Sequence, residues 1–340
     1  MKIRYEKYNL KLRHTFTIAR ESMDVNRVLF ITLWDNGSFG TGEASPSERY
    51  KDSIDGIIEF IKNYEFKKPI FDNLNNFFEV SEFIKAEFEE SPSLRAALET
   101  AILDLNCKKM KIPLYRYFGL NPHNTPQTSF TIGIAESEII RKKVCEAEKY
   151  PILKIKMGFE NDYRIIETIR QITDKLIRVD ANEGWGREEA LEKIQWLQAK
   201  NVEFVEQPIA AGNYDDVVWL RERVNIPIIA DEDCREFSDL FRLSEVYDGI
   251  NIKFMKCGGP LQAWKMIIAA RSLGLKIMLG CMIESSVAIS AAAHLTPAVN
   301  FADLDGNLLI TNDPFTGVKV VNGRLVLPEG PGIGLKRKNL

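Results

Sequence analysis

The spacing of apolar and polar residues divides the chain into two parts. Residues 3–50 alternate as β-strands do, with a loop predicted at 17–22 and a tight turn at Asp35-Asn36-Gly37. From residue 53 to 120 the apolar positions follow helical spacing, most clearly at 92–105, where proline lies in the first turn. Strands followed by helices predict an α+β domain over residues 1–122.

Beyond residue 122 short β runs alternate with amphipathic helices. The β runs are predicted at 129–134, 152–157, 176–180, 203–205, 227–230, 249–253, 276–280 and 299–303. Intervening helices are predicted at 136–149, 187–199, 214–223 and 262–273. Eight β runs with helices between them favour a parallel barrel over residues 123–314. The alternative is a doubly wound open sheet, but no G-x-G-x-x-G follows a first strand. The tail, 315–340, is predicted to return to the N-terminal domain.

Polar side chains recur at the same position in successive β/α units. The residues at or just beyond the C-terminal ends of the eight β runs are Thr131, Lys156, Asp180, Glu206, Asp231, Lys253, Gly280 and Asp303, spaced by 22 to 27 residues. Barrel enzymes keep their active sites at the C-terminal ends of the strands, so these residues are predicted to meet at one mouth. An isolated Lys154-Ile-Lys156 is usually a solvated charged face, but five consecutive ionisable strand ends indicate a site.

Three of these strand ends are carboxylates. Asp180, Glu206 and Asp231 would raise each other's pKa unless a cation lay between them. Oxygen ligands of this number suit Mg²⁺, and Asn182, two residues after Asp180, is a candidate to support the site.

Lysines flank this predicted metal site on both sides. Lys156 and Lys253 are predicted to exchange a substrate proton from opposite faces of a metal-bound carboxylate. A free lysine is a poor base at neutral pH, so Lys154, the metal and burial are predicted to keep Lys156 partly deprotonated. Lys256 has the wrong strand parity and is predicted to be a loop lysine.

Composition narrows the class of protein. The net charge of −3 argues against a nucleic-acid or anionic-membrane surface. The five cysteines are scattered and never spaced C-x-x-C, which is typical of reduced thiols in the cytoplasm. None of the three histidines lies in a motif, and no apolar run reaches the length of a membrane span or a signal peptide. We therefore expect a cytoplasmic protein.

The motifs resemble those of the enolase superfamily, in its muconate-lactonizing-enzyme subgroup. They are Lys154-Ile-Lys156, Val179-Asp180-Ala-Asn182, Val205-Glu206-Gln-Pro, Ala230-Asp231-Glu232, Asn251-Ile-Lys253-Phe-Met-Lys-Cys-Gly-Gly and the helix from Arg95. The resemblance implies a (β/α)7β modified TIM barrel under an α+β capping domain, which the N-terminal region and the tail build together. It also implies one Mg²⁺ per subunit, with Lys156 serving the L face of the substrate and Lys253 the D face.

Residues beyond the shared core point to the substrate. Asp303-Leu-Asp305 resembles the pattern of dipeptide epimerases, in which the two carboxylates hold the N-terminal amine. An acyl substrate would leave the pair without a partner. The loop that contains Arg20 resembles that of epimerases acting on L-Ala-D/L-Glu, where arginine pairs with the glutamate carboxylate. Weaker substrate-binding candidates are Thr131, Asn182, Glu232, which we expect to orient Lys253, and Glu284.

The resemblance implies dipeptide epimerisation by 1,1-proton transfer through a metal-stabilised enediolate, in the metabolism of murein peptides. The alternatives are an N-acylamino acid racemase, an o-succinylbenzoate synthase, a dipeptide epimerase of other side-chain specificity, and a non-catalytic binding barrel. The expected partner is a small dipeptide, without nucleic acid or membrane, and a homo-oligomer stays open.

Overall fold

An antiparallel sheet opens the chain. The computed structural model describes residues 2–18, 21–64 and 76–339. Strands β1 (Lys2–Thr17), β2 (Ser22–Asp35) and β3 (Ser38–Ala44) pair in the order β1-β2-β3. Strand β2 begins at Ser22, within the predicted loop, because Thr17 pairs with Ser22 and Phe16 with Met23. Pairing with β1 thus overrides the polar composition of this segment.

Four helices follow among the described residues. They are α1 (Ile54–Asn63), α2 (Phe77–Glu87), α3 (Pro92–Met110) and α4 (Leu114–Tyr117). Of these, α1 and α3 pack on the antiparallel sheet. Ser91 caps α3 by accepting a hydrogen bond from the Leu94 amide, which satisfies one of the free N–H groups of the first turn. Helix α3 packs closely on β3, since a Cβ on Gly42 would collide with the Ala97 carbonyl.

Eight parallel strands form the barrel, with neighbours in chain order. They are β4 (Phe130–Ile132), β5 (Ile152–Lys156), β6 (Leu176–Asp180), β7 (Val202–Glu206), β8 (Ile228–Ala230), β9 (Gly249–Lys253), β10 (Lys276–Gly280) and β11 (Phe301–Asp303). The first and last strands approach at Thr128, which forms a parallel bridge to Ala302, so the sheet is nearly closed. The predicted barrel is therefore confirmed.

Helices surround the barrel strands. They are α5 (Ser137–Glu146), α6 (Asp162–Arg170), α7 (Arg187–Leu197), α8 (Tyr214–Arg221), α9 (Leu240–Val246), α10 (Phe254–Cys257), α11 (Pro260–Ser272) and α12 (Ser286–Ala293). Every residue of β5 and of β9 is buried, which places their lysines inside the protein. No helix among the described residues is both long and apolar enough to span a membrane.

The C-terminal tail contacts the N-terminal elements. It carries short strands at β12 (Phe315–Thr316), β13 (Lys319–Val321), β14 (Arg324–Val326) and β15 (Lys336–Arg337). The Ile333 amide donates to Asp104 of α3 at 2.9 Å, and Arg337 pairs with Glu6 of β1 at 2.8 Å. These contacts agree with the predicted return of the tail, while the domain boundaries at 122 and 314 stay predictions.

Candidate active site

A cavity of about 630 Å³ lies between the C-terminal end of the barrel and the N-terminal sheet. Its barrel wall is formed by residues of β4, β5, β9 and β11 and of the loops that follow β6, β8, β10 and β11. Its capping wall is formed by residues within 16–18, 21–27 and 45–55 of the N-terminal region. Mixed walls of this kind bury a small ligand on all sides, as ligand sites do.

The strand ends project their ionisable groups to this mouth as predicted. Lys156, Asp180 and Glu206 are the last residues of β5, β6 and β7, and the ladder pairs Lys156 with Asp180 and Asp180 with Glu206. Asp231 directly follows β8 and Lys253 ends β9. All five side chains are buried, so their charges must be compensated by other buried charges nearby.

Three carboxylates cluster closely enough to hold a metal ion. One oxygen each from Asp180, Glu206 and Asp231 lies within 4.8 Å of the others. Burial, and then the charges of Asp180 and Asp231, raise the pKa of Glu206 to about 8. Burial raises the pKa of Asp180 and Asp231 as well, but neighbouring lysines outweigh it and lower both pKa values. Carboxylates that repel so strongly are the setting that a bound cation relieves.

The cluster fits a hard divalent cation on two further grounds. Oε2 of Glu206 is buried and accepts no hydrogen bond from a described residue, although it lies 2.6 Å from Lys154 Nζ. The buried barrel mouth also holds six carboxylates and four lysines, so two negative charges are left over at full ionisation. These six are Asp180, Glu206, Asp231, Glu232, Asp303 and Asp305, and the lysines are Lys154, Lys156, Lys253 and Lys256.

Two lysine–aspartate pairs face the cavity from opposite sides of the barrel. Lys156 Nζ lies 2.6 Å from Asp180 Oδ2, and Lys253 Nζ lies 2.8 Å from Asp231 Oδ2. Strands β5 and β9 are four positions apart in a sheet of eight strands, which sets these ammonium groups across from each other. Burial lowers the pKa of Lys253, but the carboxylates of Asp231 and Glu206 outweigh it and raise the pKa above the usual value.

Lys154 lies deeper in the barrel than Lys156. Its Nζ is 3.0 Å from Asp180 Oδ2, 2.6 Å from Glu206 Oε2 and 2.7 Å from Asp303 Oδ2. Burial lowers the pKa of Lys154, but the three carboxylates outweigh burial and raise this pKa well above its usual value. The side chain therefore carries a full charge, and its effect on the protonation of Lys156 stays a prediction.

Asp303 and Asp305 both line the cavity. Asp303 accepts from Ser129 Oγ at 2.6 Å and from Lys154 at 2.7 Å, whereas Asp305 accepts from the Thr131 amide at 2.6 Å. The prediction that both carboxylates lack a partner without a substrate amine is therefore wrong, because Lys154 reaches Asp303 and the Thr131 amide donates to Asp305. Burial, and then the charge of Asp303, raise the pKa of Asp305 to about 7.

Other predicted substrate contacts divide into those near the cavity and those away from it. Thr131, Asn182 and Glu232 line it, with Asn182 Nδ2 3.4 Å from Glu232 Oε1. Asn182 has a φ of 46°, a left-handed conformation that asparagine tolerates better than most residues. Glu232 as an orienting group for Lys253 stays a prediction. Arg20 lies outside the described residues.

Glu284, predicted to contact the substrate, lies outside the cavity lining. It is buried, and its carboxylate turns back to accept from the Met282 amide at 2.9 Å. The next residue, Ser285, caps α12 and donates to Glu43 of β3, joining barrel and sheet behind the cavity. Burial, and then the charge of Glu43, raise the pKa of Glu284 to about 8.

Two buried residues of the site escape the sequence analysis. Asn251, on β9, donates to Glu206 Oε1 at 2.7 Å, and its parity with Lys253 could have identified it. Lys256 donates to Asp231 Oδ1 at 2.6 Å, so its prediction as a loop lysine is wrong. The strand ends at Lys253 and the short helix α10 turns Lys256 back under the site, which strand parity cannot anticipate.

Comparison with known proteins agrees with this arrangement. A family model described as "Enolase C-terminal domain-like" matches residues 140–339. The chain is 41% identical to an L-Ala-D/L-Glu epimerase of Bacteroides thetaiotaomicron, across 99% of this chain and 88% of that protein.

Solved structures give the same result. The substrate-liganded L-Ala-D/L-Glu epimerase of Bacillus subtilis superposes with a TM-score of 0.91 at 26% identity, covering 100% of this chain and 99% of the other. The Enterococcus faecalis dipeptide epimerase, complexed with Mg and L-Leu-L-Tyr, gives 0.90 at 30% identity, covering 98% and 99%. The chain belongs to the enolase superfamily, within the family of the dipeptide epimerases.

Proposed function

We propose that the protein is a Mg²⁺-dependent dipeptide epimerase that inverts the α-carbon of the C-terminal residue, with L-Ala-D/L-Glu as substrate. The observation that carries the proposal is the pair of buried lysines, Lys156 and Lys253, which line the cavity from opposite sides. Inversion of a carbon centre by proton transfer needs one base on each face, and this is the geometry that two opposed lysines provide.

In this proposal each lysine works on one face of the substrate. With the α-carbon between them, Lys156 takes the proton from the L isomer and Lys253 returns a proton to the other face. The roles reverse for the D isomer. Each lysine lies within hydrogen-bonding distance of a carboxylate, Asp180 or Asp231, which fixes the direction of its ammonium group. Such acid–base roles typically contribute about 10²–10⁴-fold each to the rate.

Asp180, Glu206 and Asp231 are the residues that would hold Mg²⁺, one ion per subunit. When bound, the ion supplies positive charge beside the substrate carboxylate, where negative charge develops as the α-proton leaves. Lys154 keeps two of these ligands in place through its contacts with Asp180 and Glu206. This arrangement leaves Lys156 and Lys253 as the groups that move protons.

The amine of the dipeptide is proposed to bind at Asp303 and Asp305. Both carboxylates line the cavity, and Asp305 accepts from the neutral Thr131 amide, so it can still accept from an ammonium group. Glutamate is proposed as the second residue from the position of Arg20 in the chain. The Enterococcus faecalis enzyme, with bound L-Leu-L-Tyr, makes an apolar second residue the alternative.

Isotope exchange tests the proposed function directly. The protein is incubated with Mg²⁺ in D₂O and with L-Ala-L-Glu, L-Leu-L-Tyr and N-acetyl-L-Glu in separate reactions. We expect deuterium at the α-carbon of the second residue of L-Ala-L-Glu, followed by appearance of L-Ala-D-Glu. Exchange in N-acetyl-L-Glu alone would identify an N-acylamino acid racemase instead. Absence of exchange in every substrate would contradict the proposal.

The setting of the enzyme is proposed from its thiols and substrate. All five cysteines are free, which agrees with a reducing compartment, and we propose a cytoplasmic enzyme that acts on murein-derived peptides. A homo-oligomer stays a prediction.

A further inference from the structure

The three clustered carboxylates use their two oxygens in different ways. In each, one oxygen accepts a hydrogen bond from a fixed donor, and the other faces lysine ammonium groups only. For Asp180, Oδ1 accepts from the Asn182 amide at 3.0 Å, whereas Oδ2 lies 2.6 Å from Lys156 Nζ and 3.0 Å from Lys154 Nζ. A backbone donor two residues away cannot leave without unfolding the loop, so Oδ1 is held toward the loop and Oδ2 toward the two lysines.

Glu206 shows the same division. Oε1 accepts from Asn251 Nδ2 at 2.7 Å, and Oε2 is the buried oxygen that accepts no hydrogen bond from a described residue. Asn251 is fully buried, and its amide lies over Gly280, where a Cβ would come within 2.5 Å of Asn251 Oδ1. The glycine thus leaves space for the amide of Asn251, whose Nδ2 holds Oε1 of Glu206.

Asp231 completes the pattern through Lys256. Oδ1 accepts from Lys256 Nζ at 2.6 Å, while Oδ2 accepts from Lys253 Nζ at 2.8 Å. Lys256 Nζ also donates to the Asn251 carbonyl at 3.0 Å, and its side chain is fully buried and absent from the cavity lining. Lys253 lines the cavity, whereas Lys256 does not, because its acceptors surround it beneath the site.

We propose that Asn251 and Lys256 are positioning residues: by holding one oxygen of Glu206 and of Asp231, each orients its carboxylate so that only the other oxygen is presented to the cation. The site then offers three protein oxygens instead of six. Mg²⁺ requires octahedral coordination and keeps several waters, so three single oxygens suit it, whereas Ca²⁺ takes six to eight oxygens and favours two-oxygen binding by carboxylates. Asn251 and Lys256 therefore select for the smaller ion. This inference rests on the proposed metal site.

Metal binding by the metal-free protein tests the inference without an activity assay. Dissociation constants for Mg²⁺ and for Ca²⁺ are measured by titration calorimetry on wild type, Asn251→Leu and Lys256→Met. Both substitutions release one carboxylate oxygen and roughly conserve side-chain volume. We expect each to shift the ratio Kd(Ca²⁺)/Kd(Mg²⁺) toward Ca²⁺ by about tenfold, the lower end of the effect of residues that support metal ligands.

The matched control is Lys253→Met. It removes the same charge from the other oxygen of Asp231, so it tightens binding of both divalent ions by a similar factor and leaves the ratio unchanged. Asn251→Leu removes a hydrogen-bond donor without changing the charge of the site. It therefore shows the effect of losing a donor alone, whereas Lys256→Met removes a donor and a positive charge together. Thermal melts identify the folded variants, and either Asn251→Leu or Lys256→Met is sufficient for the test.

The results separate this inference from the proposed function. If wild type binds no Mg²⁺, the metal site itself is wrong. If wild type binds Mg²⁺ but the ratio of every folded variant stays within twofold of wild type, only the selecting role of Asn251 and Lys256 is wrong. A shift in Lys253→Met as large as that in Lys256→Met would also contradict it, since charge alone would then explain the effect.

Discussion

The barrel wall and the capping wall of the cavity differ in how firmly their charged side chains are held. Lys154 and Lys253 of the barrel wall are buried and lie 2.6–3.0 Å from carboxylates. Arg49 of the capping wall pairs with Glu183 at 2.7 Å, but 38% of its side chain is exposed. The comparison shows that charges at the strand ends are held by buried partners, whereas those on the capping loops are partly solvated, as is usual for loops on a rigid scaffold.

The largest expected effect comes from the barrel wall. Lys253→Ala should reduce epimerisation by about 10²–10⁴-fold, the usual contribution of an acid–base group, because one face of the α-carbon loses its proton carrier. In D₂O the variant should still exchange the α-proton of the L isomer through Lys156. The measurement is α-deuteration by mass spectrometry beside chiral analysis of the product.

Lys156→Ala is the matched variant on the opposite side, and it should retain exchange from the D isomer only. Full epimerisation by either variant would contradict the proposal that Lys156 and Lys253 each act on one face of the α-carbon.

The next effect concerns the amine site, on the barrel wall but next to the loops. Asp305→Asn keeps an oxygen that can accept from the Thr131 amide but removes the charge. We expect KM for a dipeptide to rise by roughly 10–100-fold with little change in kcat, since a charge-assisted hydrogen bond contributes about 1.5–3 kcal/mol. Steady-state kinetics on L-Ala-L-Glu provide the measurement. An unchanged KM would indicate that the amine binds elsewhere.

A moderate effect is expected where the two regions join. The pKa values of Glu43 and Glu284 are raised to about 7 and about 8 by burial, so the folded protein holds these protons more tightly than the unfolded chain. Their stabilisation is complete below the unfolded pKa and is lost as pH rises through 7 and 8. Glu284→Gln should therefore melt higher than wild type at pH 9, on the order of a few degrees, and the difference should shrink at pH 6.

Melting curves across this pH range measure that effect. A constant difference between the two proteins from pH 6 to pH 9 would contradict a buried, titrating Glu284.

The smallest effect is predicted on the capping wall. Arg49→Ala breaks a partly exposed ion pair with Glu183, and exposed pairs contribute about 0–1 kcal/mol. KM should change by at most about fivefold and kcat should stay the same. Kinetics in low and high salt provide the measurement, because screening should weaken the wild-type pair as well. A loss comparable to that of Lys253→Ala would remove the distinction between the two walls.

Much of the fold and of the site could be predicted because the repeat of a β/α unit is local in sequence. Each unit spans one strand, one helix and two loops, so strand ends recur every 22 to 27 residues. The position of Lys156, Asp180 and Lys253 within the repeated β/α unit is therefore enough to single them out. Parallel strands bring residues of equal phase to the same edge, which is a property of the sheet and not of the particular sequence.

The tertiary structure alone decided which partner each side chain meets. Lys154 reaches Asp303, 149 residues away, and Glu284 turns back toward Met282 and away from the cavity. Lys256 returns beneath Asp231 because a short helix replaces the strand after Lys253. Phase along the chain predicts the edge of the sheet to which a residue belongs. Contacts between distant residues depend on packing, and packing sets the distances that determine charge, hydrogen bonding and metal selectivity.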